Sequence, residues 1–141
     1  MMRDLHNHIH PIRALSPVSV ADNTAQVSQV IDLQGYSSLE FVILGGSLAD
    51  ADATFVVLVE HGDAANLSDA AAVPDEQLLG SELQAGFQFD DDNETRKIGY
   101  IGYKRYVRLT ITPANNTGAA LLAVVAILGN PHLSPTANPP V

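Results

Sequence analysis

The 141-residue chain has no cysteine and no tryptophan, and only seven Lys and Arg stand against sixteen Asp and Glu. Without cysteine there is no disulfide framework and no thiolate for catalysis or metal binding. A net charge of −9 at pH 7 argues against nucleic-acid binding, because counterion release from a phosphate backbone needs clustered cations. Aromatic residues make up only 6% of the chain, so stacking platforms for sugars are scarce. No apolar run is long enough to cross a bilayer. Residues 1–11 carry one Arg and three His without an apolar stretch, so no secretory signal is expected there. A soluble product without a membrane partner, cytoplasmic at least during assembly, is the expectation.

What is present is aliphatic. The hydrophobic fraction of 46% rests on Ala, Val, Leu and Ile, and the length suits one domain that buries roughly two-thirds of its unfolded surface. Strand patterns fall at residues 26–33, 39–44, 53–60, 76–79, 85–89, 96–103, 105–112 and 119–128, bounded by Gly, Pro, Asn, Asp and Ser. Residues 47–52 and 113–118 read as hairpin connections, and Ser68 reads as the cap of a short helical turn within 64–74. Seven to nine short strands, with turn signals every eight to twelve residues, predict an all-β fold: an antiparallel β-sandwich of jelly-roll type. Residues 1–17 read as an extended N-terminal arm and 18–130 as the sandwich domain. Residues 131–141, with Pro131, Pro135, Pro139 and Pro140, read as a tail strapped over the surface or over a neighbour.

Two strands differ in kind. In 105–112, Val107, Leu109 and Ile111 alternate with Tyr106, Arg108 and Thr110, which gives one dry face and one wet face. The following strand is apolar on both phases: Leu122, Val124 and Leu128 on one side, Leu121, Val125 and Ile127 on the other. Such a strand needs two covers, one from its own core and one from elsewhere, and a neighbouring subunit would supply the second.

Three constellations invite a chemical reading. His6, His8 and His10 alternate, which on an extended chain puts them on one side, as for a divalent metal, and resembles the His-x-His opening of metal-dependent amidohydrolases. That family builds a large barrel with later ligands, whereas this chain offers only His61 and His132 beyond and lacks the βα alternation. The alternatives are capture of stray zinc or nickel by an arm, or histidines that hydrogen-bond at an interface. Residues 90–94 (Asp-Asp-Asp-Asn-Glu), with Asp50 and Asp52, could offer oxygens to calcium, but they lack the glycine and distal glutamate of an EF-hand loop. His61 beside Asp63 and Ser68 lacks a nucleophile elbow. No catalytic residue and no cofactor is expected.

Five of the seven basic residues, Arg96, Lys97, Lys104, Arg105 and Arg108, lie among Tyr100, Tyr103 and Tyr106. One reading is a wet sheet face with cross-strand ion pairs. The other is a contact patch, since Tyr and Arg concentrate at interface hot spots. Under the second, the interface candidates are Tyr100, Tyr103, Arg105, Tyr106 and Arg108, together with Leu121, Val125 and Ile127.

The succession LEFVILGG (39–46), ATFVVLVEHGD (53–63), KIGYIGYKRYVRLTITP (97–113) and AVVAILGNPH (123–132) resembles small structural proteins of tailed bacteriophages and prophages. That resemblance implies a capsid decoration or cement protein, a jelly-roll sandwich that clusters, commonly as a homotrimer, on the outside of a major capsid protein shell. It implies a place on the virion surface after assembly in the host cytoplasm. A head–tail connector or tail component of the same virion is the nearest rival. A carbohydrate-binding β-sandwich module is the next, and an enzyme comes last.

Overall fold

A computed structural model describes residues 1–141. The amphipathic alternation builds strand β10 (Tyr106–Ala114), whose Val107, Leu109 and Ile111 are fully buried. It lies antiparallel to β5 (Thr54–Gly62), with Leu109 opposite Val59 and Ile111 opposite Val57. The short strands β2 (Gln26–Val27), β3 (Ile31–Asp32), β6 (Ala71–Ala72) and β8 (Phe87–Gln88) complete this sheet. The facing sheet has the order β1-β11-β4-β9-β7, from β1 (Ile9–Val20), β11 (Ala120–Pro131), β4 (Tyr36–Leu48), β9 (Thr95–Tyr100) and β7 (Leu78–Leu79). Every pairing is antiparallel. The two sheets enclose one aliphatic core, in which Phe41, Ile43, Ile98, Leu122 and Leu128 of one sheet meet Phe55, Val57, Leu109 and Ile111 of the other. Phe55 and Phe87 add a stacked pair at 4.7 Å.

The all-β sandwich expected from the turn spacing is the observed architecture, with eleven strands in place of seven to nine, five of them only two residues long. Several local expectations are corrected. Residues 9–17 are not an arm: they form most of β1, an edge strand. Pro11 and Pro17 suppress a strand reading, but an edge position tolerates prolines because its outer side needs no donor. The connections at 47–52 and 113–118 are not hairpin turns, since β4 and β5 belong to different sheets, as do β10 and β11. The two crossovers are tied together, because the Asp50 carboxylate accepts from the Thr117 N–H (2.9 Å) and hydroxyl (2.8 Å). The predicted strand at 26–33 splits into β2 and β3. Ser68 caps no helix; its N–H donates to the side chain of Asn66. The one α-helical turn, α1 (Glu82–Ala85), is capped instead by Ser81, whose hydroxyl accepts from the Gln84 N–H at 3.1 Å. The proline-rich tail lies over the protein's own N-terminal segment, where the Thr136 hydroxyl donates to the Ile9 carbonyl at 2.6 Å.

Candidate functional site

Strand β11 sits between β1 and β4, so its two apolar phases meet different surroundings. Ala120, Leu122, Val124, Ala126 and Leu128 fill the core. Leu121, Ala123, Val125 and Ile127 face outward, with Leu121 45% and Val125 38% exposed. The register extends this row across the sheet: Val125 pairs with Val42 and Ala123 with Leu44, which is 55% exposed. On the flanks, Arg13 of β1 lies opposite Val125, and Lys97 of β9 lies opposite Val42. The Leu121 side chain lies over Gly46, where an added Cβ would come within 2.9 Å of the Leu121 Cβ. With Pro17, Val18 and Leu44 it lines a shallow apolar depression of about 430 Å³. Within one subunit the second cover is therefore missing, and each half-exposed Leu or Val forgoes about 1 kcal/mol of burial.

Glu40 is the one carboxylate of this face on β4. It lies across Gly99, with an oxygen 3.2 Å from where a glycine Cβ would stand. Partial burial pushes its pKa upward, opposed by the charge of Lys97.

The tyrosine and arginine candidates occupy a different place. Tyr106, Arg105 and Arg108 belong to β10 or its approach in the other sheet, so the eight candidate interface residues do not form one patch. Tyr100 is 4% exposed and its hydroxyl works internally, accepting from the Lys104 N–H at 2.9 Å; it is withdrawn from the contact surface. Arg105 makes a bidentate pair with Asp32 at 2.8 and 2.9 Å, and its guanidinium lies 5.0 Å from the Tyr106 ring. The same pair holds the Asp32 carboxyl below the ordinary range. Arg108 pairs with Glu60 at 3.1 Å. These are the cross-strand ion pairs of the wet-face reading. Tyr103, 91% exposed, is free at the tip of the β9–β10 loop.

His6 and His8 lie in a 3-10 turn (His6–His8), and only His10 is on a strand, stacked on Tyr36 at 5.6 Å. The extended geometry that would align the three is therefore replaced by a coil, and no group of three or more His, Cys, Asp or Glu converges as metal ligands. The acidic loops are committed to the backbone: Asp91 accepts from the Gln88 N–H and pairs with Arg96 at 3.2 Å, while Asp92 accepts from the Leu48 N–H. Asp50, accepting from the Asp52 and Thr117 N–H groups, is held far below the usual carboxylate range. His61, Asp63 and Ser68 have separate partners: Tyr100, Lys104 and Asn66.

The sequence reading missed Val42 and Leu44. Their signal was present, since Phe41-Val-Ile-Leu44 is apolar on both phases, as residues 119–128 are.

No protein-family model matches the chain, and no curated protein sequence matches it. Among solved structures it is similar to the PBSX exported protein XepA, with a TM-score of 0.54 and 13% identity over 84% of this chain. The chain spans 36% of the length of that protein. It is also similar to the xylan-binding module CBM15, at 12% identity and a TM-score of 0.45 over 93% of this chain and 96% of that one. A third similar structure is the CBM22-1 xylan-binding domain of Paenibacillus barcinonensis Xyn10C, at 14% identity and a TM-score of 0.45 over 85% of each chain. At this identity the likeness to XepA speaks for the fold, an antiparallel β-sandwich.

Proposed function

We propose that the protein is a non-catalytic structural component of a phage virion, a decoration protein that attaches to the outside of a capsid shell and stabilises it through protein–protein contacts. The observation that carries this reading is the outward face of β1, β11, β4 and β9, an apolar strip centred on Leu121, Val125, Val42 and Leu44. Strips of this kind mark surfaces that another protein covers. Its centre, formed by Leu121, Val125, Val42 and Leu44, bears no aromatic ring on which a sugar would stack. Multivalent attachment to a repeating shell converts weak single contacts into high avidity. The likeness to XepA in fold and the sequence texture of phage structural proteins are compatible with it.

The test is direct. Purified protein mixed with empty shells should co-sediment with them and raise their disruption temperature, and electron microscopy should show added density on the shell. Density at the neck or tail would instead favour the connector reading. Dose-dependent glycan binding that is lost in Tyr103→Ala, without shell binding, would favour a carbohydrate module.

A further inference from the structure

We infer that the outward face of the β1-β11-β4-β9 sheet is covered, along β1, β11 and β4, by the same face of a second copy, packed sheet on sheet about a two-fold axis. The inference rests on reading that face as a protein-contact surface, and it names the partner.

The sheet edges direct the contact to the face. A copy adding a strand beside β1 would need its free edge, and that edge is occupied. The Gln29 N–H donates to the Ala14 carbonyl at 2.9 Å, the Gln29 side chain caps the Arg13 carbonyl, and Thr136 caps Ile9. Pro11 and Pro17 offer no donors there. At the opposite edge β7 is two residues long and is followed at once by Gly80, whose φ is +79°.

Charge selects a like partner. The chain carries −9 overall, so two copies repel unless they meet where the acidic surplus is absent. The outward positions of these four strands include only Arg13, Lys97 and Glu40 as charged groups. Arg13 stands on the β1 flank and Glu40 toward the β9 flank. A two-fold axis running along β11 therefore brings Arg13 of each copy over β4 of the other, the strand that carries Glu40, and leaves Lys97 of β9 outside the overlap.

The alternative, a head-to-tail ring, would press this face onto the outer face of the other sheet. There Val56 and Leu58 are interleaved with Thr54, Thr110 and Thr112, and Arg108 and Glu60 continue the rows. Burying those hydroxyls against an apolar strip leaves them without partners. The area is also sufficient. The overlapping strands β1, β11 and β4, of 12, 12 and 13 residues, outline about 600 Å² at the usual rise and spacing. Two such faces fall at the lower end of the range for specific interfaces, about 1,200–2,000 Å² in total.

Sedimentation across the micromolar range tests this. The wild-type protein should give twice the 15.0 kDa protomer mass. Val125→Asp and Leu121→Asp, each placing a carboxylate against its own symmetry mate, should weaken the dimer by about 100-fold or more. Val56→Asp on the other sheet should leave it intact. Circular dichroism checks that each variant is folded. A monomer at all concentrations, a trimer, or a dimer lost in Val56→Asp but kept in Val125→Asp overturns the inference. Shell co-sedimentation separates the two readings: a dimer that ignores shells refutes the decoration role alone, and a monomer that binds shells refutes only the pairing.

Discussion

The Nδ1 atom of His61 and the hydroxyl of Tyr100 lie 2.8 Å apart inside the sandwich and join β5 of one sheet to β9 of the other. The hydroxyl also accepts from the Lys104 N–H, so this one oxygen links the His61 ring to the β9–β10 loop. Burial first, and then the charge of Lys104, lower the pKa of His61 from its ordinary 6.5. The unfolded chain therefore takes up this proton at a higher pH than the fold does. Stability is full above about pH 6.5 and declines as pH falls through the depressed folded value. Urea unfolding at a series of pH values should show this decline, and His61→Gln should flatten it. Tyr100→Phe should lower stability by about 1–2 kcal/mol at neutral pH, because the Lys104 N–H and the His61 ring both lose their partner.

Asn116 should be the most sensitive polar position. It is 2% exposed, its amide donates to the Val20 and Asp22 carbonyls at 3.0 and 3.1 Å, and its N–H donates to Asn23 at 2.8 Å. The β10–β11 crossover is thereby fastened to the end of β1. Asn116→Ala leaves two carbonyls without donors and should lower stability by about 2–3 kcal/mol. Asn116→Asp should be worse, since a carboxylate placed between two carbonyl oxygens can donate to neither. Thermal unfolding that ranks Asp above Ala would contradict this account.

Arg105 looks like an interface anchor in the sequence, but its pair with Asp32 is about half exposed on both sides. Arg105→Ala should lower stability by less than about 1 kcal/mol and leave self-association unchanged. Loss of assembly in that variant would return the tyrosine–arginine surface to the contact.

These contrasts mark how far the fold and site were legible. Val107, Leu109 and Ile111 declared an amphipathic strand because a solvated sheet face enforces period two. Leu121, Val125 and Ile127 declared a second apolar face because nothing local explains them. The sheet exchange at 113–118 was not legible, since Pro113, Asn115 and Gly118 reverse a chain whether the next strand pairs beside the last or crosses to the opposite layer. Only long-range pairing of β11 with β1 and β4 decides that. The true helix cap was readable: Ser81-Glu-Leu-Gln84 has the Ser-x-x-Gln form of a capping box, and Ser68 drew attention only through its alanine-rich neighbours. Tyr100 was misplaced for a different reason. Its ring completes the core, and no sequence pattern distinguishes a tyrosine whose hydroxyl is satisfied inside from one that faces a partner.

Glu82 offers the sharpest local test. The outer edge of β5 is paired at Thr54 and Phe55 by β8 and at Glu60 and His61 by β6, which leaves its middle open. In that gap the Val59 N–H donates to the Glu82 carboxylate at 2.9 Å, while Val59 itself is 1% exposed. The acid at the start of α1 thus does the work of a missing strand. Glu82→Ala should leave a buried N–H unpaired and lower stability by about 1–3 kcal/mol. Glu82→Gln keeps an acceptor oxygen and should recover most of that loss. Ser81→Ala, which loosens the helix that carries Glu82, should lose about 1 kcal/mol and add less than its full effect to Glu82→Ala, because both act through the same contact. Chemical unfolding of the three single variants and the double variant closes the cycle. Full additivity, or equal losses for Glu82→Ala and Glu82→Gln, would show that the edge of β5 does not depend on this hydrogen bond.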